Sequence, residues 1–193
     1  MKSVCVFCGS SAGESPCYAE SARRLGRLLA RRGLELVYGG GSVGLMGVLA
    51  DAALGAGGRV LGVIPDRLAK REIMHLGLTE LRIVRSMHER KAVMAEASDA
   101  FVALPGAFGT MDELFEILTW GQLGEHEKPI GLVNVAGYFD PLLDFLQRMT
   151  AERFLKPKHR DLLLVDEDEC ALLDRLSVHR PPALPKWIDS TST

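Results

Sequence analysis

Residues 104–113 read LPGAFGTMDE. The stretch follows an apolar run, 100–104, that has the length and composition of a strand, and it opens a helical pattern over 110–120. Strand, glycine turn, helix is an arrangement in which backbone N–H groups at the helix start attract anions. Pro105, Gly106, Ala107, Phe108, Gly109 and Thr110 are therefore a candidate phosphate cradle. Asp112 and Glu113 fall in the opening turns of that helix, beside any phosphate held there. An earlier stretch, YGGGSVGLMG at 38–47, repeats the strand–glycine–helix order. Two such turns, with acids in one and the basic segment RSMHERK (85–91) between them, suggest chemistry on a phosphorylated sugar.

Working outward, apolar runs of strand length stand at 3–8, 34–38, 59–64, 81–84, 100–104, 129–133 and 161–165. Helical patterns separate them, at about 43–54, 88–97, 110–120, 141–154 and 168–176. The first helix starts at Pro16 behind a Ser15 N-cap, presents Ala19, Ala22, Leu25, Leu28 and Leu29 as its apolar face, and ends at Gly33. Residues 66–79 carry no clear pattern. Nearly all-apolar strands alternating with helices predict an α/β protein with a parallel sheet covered on both faces. Right-handed crossovers then give a Rossmann-like doubly wound sheet in a single domain. Ligands in such sheets lie beyond the carboxyl ends of the strands, where both glycine turns fall, so the two can share one cleft. That domain is expected over 1–178. The tail 179–193, with Pro181, Pro182 and Pro185, reads as extended.

The chain has 193 residues, 47% of them hydrophobic, and a net charge of -2. One full core fits that length. The balanced charge argues against a general binder of nucleic-acid polymers or membrane surfaces. No segment has the roughly 20 apolar residues of a membrane span, and the first apolar run is too short for a secretory signal. A cytoplasmic protein is expected. Cys5 and Cys8 form a CxxC, but positions i and i+3 of a strand face opposite ways, and nothing nearby completes a metal set. Packing is the expected role. His75, His126 and His159 also lack partners at ligand spacing, so neither metal nor cofactor is expected.

The first turn lacks the Gly-Lys-Ser/Thr of a phosphate-binding P-loop. Gly39, Gly41 and Gly44 have dinucleotide-fingerprint spacing, without a ribose-binding acid after the next strand. The turn either binds a ligand or lets a helix pack close to the sheet. In the second turn, Thr110-x-x-Glu113 has the spacing of a capping box, and capping and catalysis stand equal on local sequence. Glu116, three residues after Glu113, is placed to hold ribose, to orient Glu113, or to face solvent. Arg90 and Lys91 are candidates for phosphate or carboxylate, or a solvated helix start. His88 is not the expected general base. Met87 and Trp120 are candidates for packing against a base, with core packing the competing role.

With these residues in hand, the chain resembles the Lonely Guy (LOG) family of cytokinin-activating phosphoribohydrolases over residues 2–176. The resemblance rests on VFCGSS, YGGGSVGLMG, SMHERK, LPGAFGTMDELFE, TWGQLG and KPIGL. It implies a Rossmann-like fold, a homodimer, and a nucleoside 5′-monophosphate substrate. The implied reaction hydrolyses the N-glycosidic bond of N6-prenylated adenosine 5′-monophosphates to the free cytokinin base and ribose 5-phosphate. Arg90 and Glu113 take the family's essential arginine and glutamate. Residues 106–110 take the phosphate contacts, and Gly9, Ser10, Gly40, Gly41, Ser42 and Gly44 complete the pocket. The chain departs from the family pattern at Ala107, where relatives have a second glycine; a left-handed backbone there would cost alanine roughly 1–2 kcal/mol. Asp112 stands where many relatives carry glutamate. Two other readings remain alongside: an AMP nucleosidase of broad specificity, and a non-hydrolytic nucleotide carrier on the same scaffold. A dehydrogenase lacks its acid, and a lysine decarboxylase lacks a recognisable pyridoxal phosphate lysine.

Overall fold

The computed structural model describes residues 1–69 and 74–180. The prolines expected to extend the tail, and Trp187, lie outside the described residues. In chain order the elements are β1 (Ser3–Phe7), α1 (Pro16–Arg31), β2 (Glu35–Tyr38), α2 (Gly44–Gly55), β3 (Val60–Pro65), α3 (Asp66–Leu68), β4 (Glu80–Val84), α4 (Met87–Glu96) and β5 (Ala100–Ala103). They continue with α5 (Phe108–Leu123), β6 (Ile130–Val133), a 3-10 turn (Val135–Gly137), α6 (Asp140–Ala151), α7 (Pro157–Arg160), β7 (Leu163–Asp166) and α8 (Glu169–Val178).

The strands form one seven-stranded sheet in the order β4-β3-β2-β1-β5-β6-β7, and every pairing in it is parallel. The chain winds from β1 outward to β4, then returns to lay β5 against the other side of β1. The topological switch point therefore lies between β1 and β5, and a crevice opens beyond their carboxyl ends. Those ends run directly into Cys8-Gly9-Ser10 and Leu104-Pro105-Gly106.

Alternation along the strands sends side chains to two cores. Val4 and Val6 of β1 join Leu25 and Leu29 of α1, Leu49 of α2 and Leu173 of α8 on one face. Cys5 and Phe7 join Met94 of α4, Leu114 and Ile117 of α5 and Leu146 of α6 on the other. Cys8 belongs to the first core and Cys5 to the second, so the CxxC is split across the sheet. Burial pushes both thiols up, Glu113 adds to the rise, and both residues serve as packing.

The helix boundaries follow local chemistry. Ser15, Ser86 and Asp168 cap α1, α4 and α8 through side-chain oxygens that accept backbone N–H groups. Two helices facing the switch point have no side-chain cap: α2, behind Val43, and α5, behind Ala107. The helix at the second glycine turn thus begins two residues earlier than its periodicity indicates. Thr110 sits inside its first turn, so of the two roles its spacing with Glu113 left open the capping box does not form. At α4 a related pattern forms around Ser86: its side chain accepts from Glu89 N–H at 3.1 Å, and the Glu89 carboxylate accepts at 2.7 Å from the N–H of Arg85, one residue before the cap.

Candidate active site

The crevice holds a cavity of about 470 Å³. Its floor is built from three backbone turns wedged together. Gly9 N–H donates to the Pro105 carbonyl at 3.0 Å, and Leu45 N–H donates to the Gly9 carbonyl at 3.0 Å. The turn after β1 is thereby gripped by the turn after β5 on one side and by the start of α2 on the other. This packing explains two glycines. A Cβ at Gly44, which has φ of 60°, would run into the Ser10 backbone, and one at Gly106 would overlap Thr110 Oγ1. Gly40 has φ of 71°. The Tyr38 hydroxyl donates to the Gly41 carbonyl from below at 3.1 Å, and His75 N–H donates to the Gly40 carbonyl at 2.9 Å.

Ala107 adopts φ of -98°, ordinary extended backbone. The left-handed geometry that would have penalised its methyl group is absent, so this departure from the double-glycine pattern carries no backbone strain. With no side-chain cap, the first N–H groups of α5 have no intrahelical acceptor and are open to water or an anion.

Arg90 and Glu113 meet inside the cavity. Their side chains are 11% and 9% exposed, and Arg90 Nη2 lies 3.4 Å from Glu113 Oε1. Arg90 reaches inward from the first turns of α4, and its Nε donates to the Val63 carbonyl of β3 at 3.1 Å. Gly39 makes room for it, because a Cβ there would overlap Nη2. Burial is the main influence on the Glu113 carboxyl and raises it above the ordinary carboxylate range; Arg90 pulls the other way without cancelling it, and Asp112 adds to the rise. The contact is longer than the roughly 2.7–2.9 Å of a close charge-assisted bond. Glu113 therefore keeps hydrogen-bonding capacity on its cavity side. The arrangement is a buried carboxylate beside a fixed guanidinium, next to an anion-attracting helix start.

Of the sequence-derived candidates, Gly9, Ser10, Gly41, Arg90, Pro105, Gly106, Ala107, Gly109, Thr110 and Glu113 line this cavity. Gly40, Ser42 and Gly44 shape the turn behind it. Phe108 points to solvent, 92% exposed. Lys91 and Glu116 stand outside the lining. Lys91 Nζ pairs with Glu116 Oε1 at 2.9 Å and Asp112 Oδ2 at 3.1 Å, tying α4 to α5. Met87 is also outside, with its sulfur 3.9 Å from Arg90 Nη1, and Trp120 packs against the second core.

The apolar lining comes instead from Leu45, Met46, Ile64 and Leu68, with Tyr18 and Tyr138 elsewhere around the rim. Ile64 lies at the carboxyl end of β3, and the rule that ligands sit beyond strand ends could have found it. Nothing local to the sequence marks Tyr138, which the β6–α6 connection delivers from 32 residues beyond Gly106. Among the described residues, no three His, Cys, Asp or Glu side chains cluster as a metal site.

Comparison with known proteins gives a consistent result. A family model described as "Possible lysine decarboxylase" matches residues 46–176. A probable cytokinin riboside 5′-monophosphate phosphoribohydrolase of Oryza sativa subsp. japonica is 50% identical over 179 residues, covering 93% of this chain and 73% of that protein. A cytokinin riboside 5′-monophosphate phosphoribohydrolase of Arabidopsis thaliana is 48% identical over 180 residues, covering 93% and 83%. Among solved structures, the molybdenum cofactor binding protein of Rippkaea orientalis superposes with a TM-score of 0.69 at 20% identity, covering 93% of this chain and 99% of that one. The molybdenum cofactor carrier protein of Chlamydomonas reinhardtii gives 0.68 at 22%, covering 92% and 98%. At that identity the two structures share the fold.

Proposed function

The chain belongs to the family of cytokinin riboside 5′-monophosphate phosphoribohydrolases, and from that premise we propose that it hydrolyses N6-prenylated adenosine 5′-monophosphates to the free base and ribose 5-phosphate. The observation that carries the reading is the Arg90–Glu113 pair, buried in a cavity beside the uncapped start of α5. A lysine decarboxylase reading has no such support among the described residues, where no lysine lines the cavity.

In this reading the 5′-phosphate rests on the N–H groups of the first turn of α5 and on the Gly9–Ser10 backbone. Ribose lies against the Arg90–Glu113 pair, and the base lies over Met46, Ile64 and Leu68. The bond from C1′ to N9 breaks with its electron pair going to the base, which takes a proton from solvent. Oxocarbenium-like charge develops on the sugar. The Glu113 carboxylate, largely buried, stabilises that charge at close range, where electrostatic help is strongest. It also orients the water whose oxygen bonds to C1′ and whose proton it accepts, a role suited to a carboxyl raised above the ordinary range. Arg90 fixes the Glu113 carboxylate and the sugar. Phosphate binding at one end holds the reacting carbon in register at the other.

Two further assignments belong to the same proposal. The protein works in the cytoplasm, a reading consistent with the absence, among the described residues, of any helix long and apolar enough to cross a membrane. It also works as a homodimer, a state supported by Phe108 and Phe115, exposed seven residues apart on one face of α5; sedimentation as a monomer at micromolar concentration would remove that assignment.

Chromatographic product analysis after parallel incubation with isopentenyladenosine 5′-monophosphate and AMP tests the reaction. Preferential release of isopentenyladenine is expected. Equal or greater adenine release would make the protein a broad AMP nucleosidase, and intact binding without release of either base would make it a carrier.

A further inference from the structure

Tyr138 does not belong to either glycine turn, yet its hydroxyl donates to the Gly106 carbonyl at 2.8 Å. That carbonyl belongs to the peptide unit that enters the N-cap of α5. The other sides of Gly106 are occupied: a Cβ there would lie 2.9 Å from Gly9 N and against the Thr110 side chain. The peptide is thus held by the β1 turn, by its own helix and by Tyr138. A trans peptide is planar, with its carbonyl and the following N–H pointing opposite ways. Holding the carbonyl of Gly106 therefore sets the direction of Ala107 N–H and the angle at which the first turn of α5 meets the cavity.

The connection that carries Tyr138 is built to aim it. Ala136 adopts φ of 51° and Gly137 φ of 72°, so one non-glycine residue is kept in the left-handed region two residues before the tyrosine. Such a conformation persists where surrounding contacts over-determine it. Here the buried Asn134 supplies them: its Oδ1 accepts from Phe139 N–H at 2.8 Å, and its Nδ2 donates to Asp140 Oδ1 at 2.7 Å. The Tyr138 ring packs edge-on against Tyr18 at 5.6 Å and against Phe139 at 4.9 Å. A side chain braced on both sides, on a strained and cross-linked turn, ends on one backbone carbonyl of the candidate phosphate cradle.

We propose that Tyr138 is a positioning residue for the 5′-phosphate, acting through the Gly106 carbonyl to hold the start of α5 in its anion-binding orientation. The inference rests on the phosphoribohydrolase reading above and adds a residue that the glycine motif does not contain.

The test is calorimetric titration of wild type and Tyr138→Phe with AMP and with adenosine, which differ only by the phosphate. The phenylalanine ring keeps both aromatic contacts and removes one hydrogen bond. AMP affinity is expected to fall about five-fold, the share of one net hydrogen bond, while adenosine affinity stays unchanged. Equal weakening of both ligands, or of neither, overturns the positioning role. Should the variant melt at a lower temperature, the ratio of the two affinities measured below that temperature carries the same answer. Wild-type protein that binds neither ligand overturns the nucleotide reading itself, which separates the two failures.

Discussion

Replacing Gly39 by alanine puts a methyl group where the Arg90 guanidinium lies. Gly39 has no positive φ, so alanine can adopt its backbone, and the substitution reads space alone. The added Cβ would overlap Arg90 Nη2 and lie 3.3 Å from Met46 Sδ. Arg90 cannot absorb the change in place, because its Nε is fixed on the Val63 carbonyl at 3.1 Å and its side chain is 11% exposed. The guanidinium must swing away, giving up that bond and its approach to Glu113. A hydrogen bond to a charged group contributes about 1.5–3 kcal/mol, which at about 1.4 kcal/mol per factor of ten lowers kcat/KM by about 10- to 100-fold. Overpacking of this kind costs about 1–3 kcal/mol of stability, and for a chain of this size that lowers Tm by about 2–12 °C. Steady-state hydrolysis of isopentenyladenosine 5′-monophosphate and a thermal melt measure the two effects. Gly55→Ala is the matched control: a Cβ there meets nothing within 4 Å, and alanine is the better helix former by about 1 kcal/mol. Full activity in Gly39→Ala would refute the claim that this glycine exists to admit Arg90.

Glu113→Gln is expected to abolish hydrolysis while AMP binding survives, since the amide keeps the shape and loses the charge; calorimetry beside product analysis separates this from unfolding. Because the Glu113 carboxyl is raised, wild-type kcat/KM should fall on the acid side with a midpoint above the ordinary carboxylate value. The sign for stability is opposite. A raised carboxyl holds its proton more tightly in the folded state, so its contribution is present below the unfolded pKa and is lost as pH rises through the folded one. The Tm of Glu113→Gln relative to wild type should therefore improve from about pH 4 to about pH 8, and a constant difference would show that burial does not govern this group. Ala107→Ser supplies α5 with the side-chain cap it lacks, which is worth about 0.5–2 kcal/mol at an N-cap. Tm should rise while AMP affinity falls, because the hydroxyl competes for the same N–H groups; unchanged affinity would place the phosphate elsewhere.

The sheet was legible because its signals are local and repeated. Apolar strands of four to six residues, most with glycine or proline at an end, need no tertiary context, and each predicted strand lies within a residue or two of its place in the sheet. The parallel topology followed from alternation, and the switch point placed both glycine turns at one crevice. At the cavity the residues alone made 105–110 a candidate phosphate cradle and left Arg90 and Glu113 with competing surface and capping roles, which the family resemblance, not the local spacing, resolved. The start of α5 was less legible: Thr110 and Glu113 have capping-box spacing, whereas the helix begins at Phe108 with Gly106 packed closely against Gly9 and Thr110.

Sequence by itself determined the doubly wound fold and the turns that approach one another, since periodicity and backbone chemistry travel with the chain. Tertiary structure decided which charges act on which. Lys91 follows Arg90 directly, yet a helix turns successive residues about 100° apart. Arg90 consequently enters the cavity to meet Glu113, while Lys91 pairs with Asp112 and Glu116 outside its lining. Burial, a property of the assembled core, raised the Glu113 carboxyl. The Tyr138 contact with Gly106 depends on how the β6–α6 connection folds back over the sheet, and no spacing within either segment encodes it.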